Sequence, residues 1–255
     1  MILKIPKRFT MDPILLFFLI AMVSFTASCI QSVTGFGYGI VAMIFLPSLL
    51  LYTEANVLSS ILSTATSVLT LLLTFRNVNW KNLVFPIIGS VIANYFAISF
   101  IKTQTNDTLI FFLGIALFAL SMYFFFFSDK IRIKQAWYTG LIAGTVSGVM
   151  SGMFSIGGPP VVVYYMQSEK NSDIYLATIS AYFVLSGFIS IGMKFVSGFV
   201  TSNVWIGIAV GAIGMAVGSL FGNLTRTRIK PVAVKKAVYA LMAVSGVVNV
   251  VTSLI

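Results

Sequence analysis

Two short stretches hold the residues from which chemistry could be built. The first reads Gln31-Ser32-Val33-Thr34-Gly35-Phe36-Gly37-Tyr38-Gly39, with Pro47 behind it. The second runs from Ser147 through Gly148, Ser151, Gly152 and Ser155 to Gly157-Gly158-Pro159-Pro160. Such runs cannot continue a helix, because glycine frees the backbone while proline removes a donor and clashes with the preceding turn. Proline does suit the first turn of a new helix, so one helix is expected to end near Ile156 and another to start at Pro159. A helix that starts inside a membrane offers unpaired N–H groups and a positive dipole end, which together favour an anion. Gln31, Ser32 and Thr34 would add hydrogen-bond donors in the first stretch, and Ser151 and Ser155 in the second. Gly35, Gly37, Gly39, Gly157, Gly158 and Pro159 would shape the broken backbone. One break alone is more often a packing kink, but two at matched positions point to a transport site.

The residues that are absent narrow the chemistry further. There is no histidine and a single cysteine, Cys29, so no internal disulfide and no thiolate or imidazole metal site can form. All six acids, Asp12, Glu54, Asp107, Asp129, Glu169 and Asp173, lie at or beyond the ends of apolar runs. Ser147, Ser151 and Ser155 therefore have no visible activating partner, and an intramembrane hydrolase is disfavoured. No catalytic residue, metal or cofactor is expected. Asn94, Tyr164 and Lys194 remain as pathway candidates. Asn94 suits a cavity or a neighbouring helix equally, Tyr164 an interface, and Lys194 either an anion or a side chain snorkelling to the headgroups, the second being the commoner use.

The elements that must position these residues follow from composition. The chain has 255 residues, 58% of them apolar and 9% charged, with a mean hydropathy of +1.02. Soluble domains carry roughly 25% charge, so the bilayer is the solvent. Apolar runs lie at about 13–51, 55–75, 83–101, 108–127, 136–167, 173–197, 203–222 and 232–253. A span needs roughly 20 residues, so the first and fifth runs are too long for one span, and glycines interrupt both. An all-α polytopic protein of the cell (inner) membrane is expected, with about eight transmembrane runs, or nine or ten elements if the long runs divide. The lipid bilayer is its surroundings. Although the net charge is +10, the basic residues sit in short clusters, which excludes nucleic acid as a partner.

The chain also reads as duplicated. A basic N-terminus at 1–12 precedes a first repeat at 13–128, a charged linker at 129–135 and a second repeat at 136–255. Each repeat has four runs and opens with the broken one. If the fifth run crosses twice and the first once, the two sides hold 14 and 2 basic residues, with the N-terminus cytoplasmic. If both cross twice, the split is 5 and 11 with the N-terminus outside. The larger imbalance, 14 to 2, makes the cytoplasmic N-terminus the expectation from charge. Glycines recur every four residues at Gly140–Gly152 and along Gly207–Gly222, a pattern suited to close helix packing within the protomer or, less often, to a homodimer interface.

With these motifs the chain resembles the TauE/SafE family of membrane transporters, also called the toluene-sulfonate uptake permeases. The stretch Gln31–Gly39 with Pro47 resembles the first family motif, and Gly148–Pro160 the more specific second one. The resemblance covers the whole hydropathy plan, although the literal motifs cover about thirty residues. It implies two similar halves and a small anionic substrate, sulfite or an organosulfonate or other organic anion. The expected function is secondary transport by alternating access at a midplane site between the two broken helices. A cation or amino-acid transporter and a non-transporting membrane subunit are the alternatives. Coupling to H+, to Na+ or to no ion stays open.

Overall fold

The computed structural model describes residues 12–126, 135–169, 171–225 and 231–254, the side chains of 231–237 and 254 excepted. Its described residues form ten α-helices and no strand. They are α1 (Pro13–Thr34), α2 (Tyr38–Phe45), α3 (Tyr52–Thr74), α4 (Val84–Ile101), α5 (Asn106–Phe126), α6 (Trp137–Phe154), α7 (Gly158–Ser168), α8 (Ser172–Val196), α9 (Ser202–Thr225) and α10 (Pro231–Leu254). Six segments are long and apolar enough to cross a membrane: α1, α3 with its 3-10 extension to Asn77, α4 with its 3-10 entry from Trp80, α5, α8 and α9. The molecule is a multi-pass helical membrane protein. The described residues hold ten helices where eight apolar runs were expected, because both over-long runs divide, into α1 and α2 and into α6 and α7. The basic N-terminus (1–11) and most of the charged linker (127–134) lie outside the described residues.

Local sequence accounts for the helix ends. Pro13 occupies the first turn of α1, and the Asp12 carboxylate accepts from Ile14 N at 3.0 Å. Asn171 caps α8 by accepting from Asp173 N at 2.7 Å. Along α3, Thr64, Ser67 and Thr70 donate to the carbonyls four residues back, at 2.7, 3.0 and 3.1 Å. A hydroxyl satisfied within its own helix can be carried through a medium that offers no water.

Glycine seams weld the helices in pairs. A Cβ at Gly214, Gly218 or Gly222 of α9 would stand 2.1, 2.2 or 2.7 Å from the carbonyl oxygens of Ala21, Phe25 and Cys29 on α1. At Gly144 and Gly148 of α6 it would stand 2.0 and 2.4 Å from those of Pro86 and Ser90 on α4. Both glycine rows thus pack within the protomer, backbone to backbone at these five positions.

These contacts also give directions. Residue numbers rise together along α1 and α9, and also along α3 and α9, where Gly207 meets Leu58 and Gly211 meets Leu62. So α1 and α3 run the same way, and α2 between them runs back. Likewise α4 is parallel to α6, and to α8 through Asn79–Thr178 and Asn94–Ser190, so α7 runs back between α6 and α8. α3 and α8 are antiparallel, since Ser60 meets Lys194, Thr64 meets Gly187 and Asn79 meets Thr178. α5 and α10 are antiparallel too, with Gly114 near Val250 and Phe124 stacked on Tyr239 at 4.6 Å.

Candidate substrate site where two helix breaks meet

The first break is built by Thr34 and two left-handed glycines. Gly35, at φ +83°, ends α1, and its N–H donates to Gln31 O at 2.7 Å. Gly37, at φ +107°, precedes α2. The Thr34 hydroxyl bonds to the carbonyls of Phe36 at 2.6 Å and Ile30 at 2.8 Å, so it spends itself on the break. The second break opens on a left-handed helix cap: Ser155 N donates to Ser151 O at 2.9 Å and Ile156 N to Met150 O at 3.2 Å. Its left-handed position is filled by Ser155, at φ +56°, the one non-glycine residue with positive φ among the described residues. The Ser147 hydroxyl donates to Gly157 O and accepts from the Tyr182 hydroxyl at 2.9 Å.

The two breaks touch. A Cβ at Gly39 would lie 1.8 Å from the Ser155 carbonyl oxygen, so α2 begins directly against the end of α6. Beside this contact lies a cavity of about 50 Å³, walled by both breaks and by α3 and α8. A water needs roughly 10–15 Å³ by this measure, so the space suits a few waters or one small solute. No Asp or Glu is among the lining residues.

Several of the residues singled out from sequence meet here. Gln31, Gly37, Gly39, Ser151, Ser155, Gly157, Gly158 and Pro159 all line the cavity. The Gln31 amide is already engaged, donating to Ser67 Oγ at 2.8 Å and Ser63 O at 3.1 Å. Among the described residues no hydrogen bond reaches the Ser151 hydroxyl. The others lie elsewhere. Ser32 faces α9 through Ser219 at 3.2 Å. Thr34 and Gly35 sit behind the break. Tyr164 is buried against Gly140, away from the cavity. Asn94 accepts from Ser190, itself a lining residue, at 3.3 Å.

Lys194 departs from the snorkelling expected of it. Its side chain is 0% exposed, although Phe195 and Val196 beside it face outward at 61% and 86%. Its ammonium donates to Ser60 Oγ at 2.5 Å and Ser155 Oγ at 3.1 Å. The lining residues that sequence reasoning passed over are Ser60, Ser63 and Thr64 on α3 and Tyr182, Ser186 and Ser190 on α8. The α8 set carried a signal in its spacing: with Lys194 it recurs every four residues along the helix.

A buried carboxylate closes each end of the α3–α8 pair. Glu54, in the first turn of α3, accepts from Thr201 Oγ1 at 2.6 Å and Asn203 Nδ2 at 3.1 Å, where α8 gives way to α9. Glu169, just before α8, accepts from Asn79 Nδ2 at 2.9 Å and from Asn82 Nδ2, where α3 gives way to α4. Because α3 and α8 are antiparallel, these clusters lie at opposite ends.

A family model described as "Sulfite exporter TauE/SafE" matches residues 20–248. A protein named "Probable sulfite/organosulfonate exporter TauE", from Cupriavidus necator, is 26% identical over 162 residues, covering 61% of this chain and 63% of that protein. No solved structure is significantly similar to the chain.

Proposed function

Because the chain belongs to the TauE/SafE family of membrane transporters, we propose that it is a secondary transporter exporting a small anion, sulfite or an organosulfonate or similar organic anion, by alternating access at the site where its two broken helices meet. The protein is a transporter and not an enzyme. The observation that carries the anion reading is the cavity itself: two helix breaks in backbone contact, a wall of hydroxyls, and no acid among the lining residues. The first turn of a helix presents N–H groups without helical partners, a setting that favours negative charge. A cation or amino-acid substrate would call for an opposing carboxylate there.

Two further proposals accompany it. The halves are an inverted repeat, α1–α5 and α6–α10. Exchanging them turns the α1–α9 pair into α6–α4 and maps α3–α8 and α5–α10 onto themselves, with every direction reversed. The Glu54 and Glu169 clusters then act as gates that open in turn. If both breaks turn the chain back, Lys4, Lys7, Arg8 and Lys102 belong to one end and eleven other basic residues to the opposite end, with Lys194 buried between them. The excess marks the cytoplasmic side, which puts the N-terminus outside and reverses the expectation drawn from charge alone. Export also follows the field, since the inside-negative potential drives an anion outward by roughly 2.3 kcal/mol per charge per 100 mV.

The test is flux. Purified protein in vesicles loaded with sulfite or methanesulfonate should release the anion faster than protein-free vesicles, and faster still under an inside-negative potential. Gly39→Val, which drives a side chain into Ser155 O, should abolish release. If only a cation or an amino acid moves, the anion reading falls.

A further inference from the structure

Among the described residues Lys194 is the one charged group at the meeting point of the breaks, and its surroundings leave that charge unanswered. Its ammonium is wholly buried and reaches only the hydroxyls of Ser60 and Ser155. Those hydroxyls lie 2.7 Å apart, and both also contact Asn56 O, at 3.0 and 2.8 Å. With their hydrogens engaged by that carbonyl and by each other, their lone pairs face the ammonium. Among the described residues no carboxylate pairs with Lys194. Dipoles alone offset a buried charge poorly, and groups of this kind normally find a counter-ion. Both hydroxyls also line the cavity, so an anion entering it arrives within one hydroxyl of the ammonium.

We propose that Lys194 is the fixed positive charge against which the transported anion binds, and that it makes the site selective for singly charged oxyanions, with a sulfonate or hydrogensulfite as the fitting class. The inference rests on the anion-transport reading and adds to it the charge of the cargo. One ammonium and no acid neutralise one negative charge. A dianion would bring a second charge into a water-poor site without a partner. A neutral solute of the same shape would leave the ammonium unanswered. Ser60 and Ser155 position the ammonium and can turn toward the cargo when it arrives.

Wild-type protein separates these cases without mutation. In thermal melts of the detergent-purified full chain, methanesulfonate should raise the melting temperature, while sulfate and the neutral dimethyl sulfone should do so at least tenfold less sensitively. Lys194→Met keeps the bulk and drops the charge, and exchanging buried charge for apolar volume is often tolerated. It should bind methanesulfonate at least tenfold more weakly, and Lys194→Arg should recover part of the loss. If dimethyl sulfone or sulfate matches methanesulfonate in wild type, the inference is overturned even if no variant folds. Equal methanesulfonate midpoints for wild type and a folded Lys194→Met, or for Lys194→Gln in its place, overturn it too, while leaving anion transport standing. If no anion stabilises or crosses with wild type, the transport reading itself has failed.

Discussion

Ser155 does three jobs within one residue: it ends α6 in left-handed backbone, offers its carbonyl to the start of α2, and presents its hydroxyl to Lys194. Left-handed backbone costs a non-glycine residue about 1 kcal/mol. Ser155→Gly should therefore melt at a higher temperature than Ser155→Ala, since only glycine relieves the strain, yet both should bind anion more weakly for want of the hydroxyl. Melting curves with and without methanesulfonate separate the two effects. If Ser155→Ala binds as tightly as wild type, the hydroxyl is structural only. Much of this was legible, because a Ser-Ile-Gly-Gly-Pro-Pro run announces a break. The destination of each side chain was not. Gln31 reads as a donor for cargo, yet its amide ties α1 to α3, and its partners Ser63 and Ser67 stand more than thirty residues away, beyond the reach of local patterning.

The elements around the cavity were half legible. Hydropathy located the helices and proline-glycine chemistry located the breaks. The polar stripe Tyr182-Ser186-Ser190-Lys194 also lay open in the sequence, since a period of four on an apolar helix marks one face. The end clusters were hidden, because Glu54 finds Thr201 and Asn203 only after the chain has folded back 147 and 149 residues later. Removing either buried carboxylate takes the acceptor from its partners, the Thr201 hydroxyl and Asn203 amide at one end and the half-buried Asn79 and Asn82 amides at the other, and so loosens that end. In a Cys29→Ser background with Ser63→Cys on the cavity wall, an impermeant thiol reagent reports access in sealed vesicles. Glu54→Ala should raise labelling from one side of the membrane and Glu169→Ala from the other. Labelling raised from the same side by both would remove them as opposing gates.

At the scale of the whole molecule, the glycine seams decide what can move. α1 is welded to α9 and α6 to α4, so each seam joins the N-terminal half of the chain to the C-terminal half. A rocking of one half against the other would tear both seams. On the proposed alternating access, the motion would fall to α3, α8 and the short α2 and α7, whose residues line the cavity. Gly214→Val, which sets a side chain against Ala21 O, should lower the melting temperature by well over 5 °C or prevent folding. Gly192→Ala, with nothing within 4 Å, should leave the melting curve within about 1 °C. Similar losses from both would mean that the seams are not the close contacts described above. The glycine rows were visible in sequence, but which helices they joined was not, since a row of small residues names no partner. That partner arrives late. Ser28 meets Met215 across 187 residues of chain, and at roughly 5–20 residues per second the ribosome needs about 10–40 s to supply them. Until α9 leaves the insertion machinery, the Ser24-Ser28-Ser32 face of α1 waits among lipids with its mate unmade. A chain stalled before α9 would keep that face bare, so for this fold the second half of synthesis completes the packing of the first.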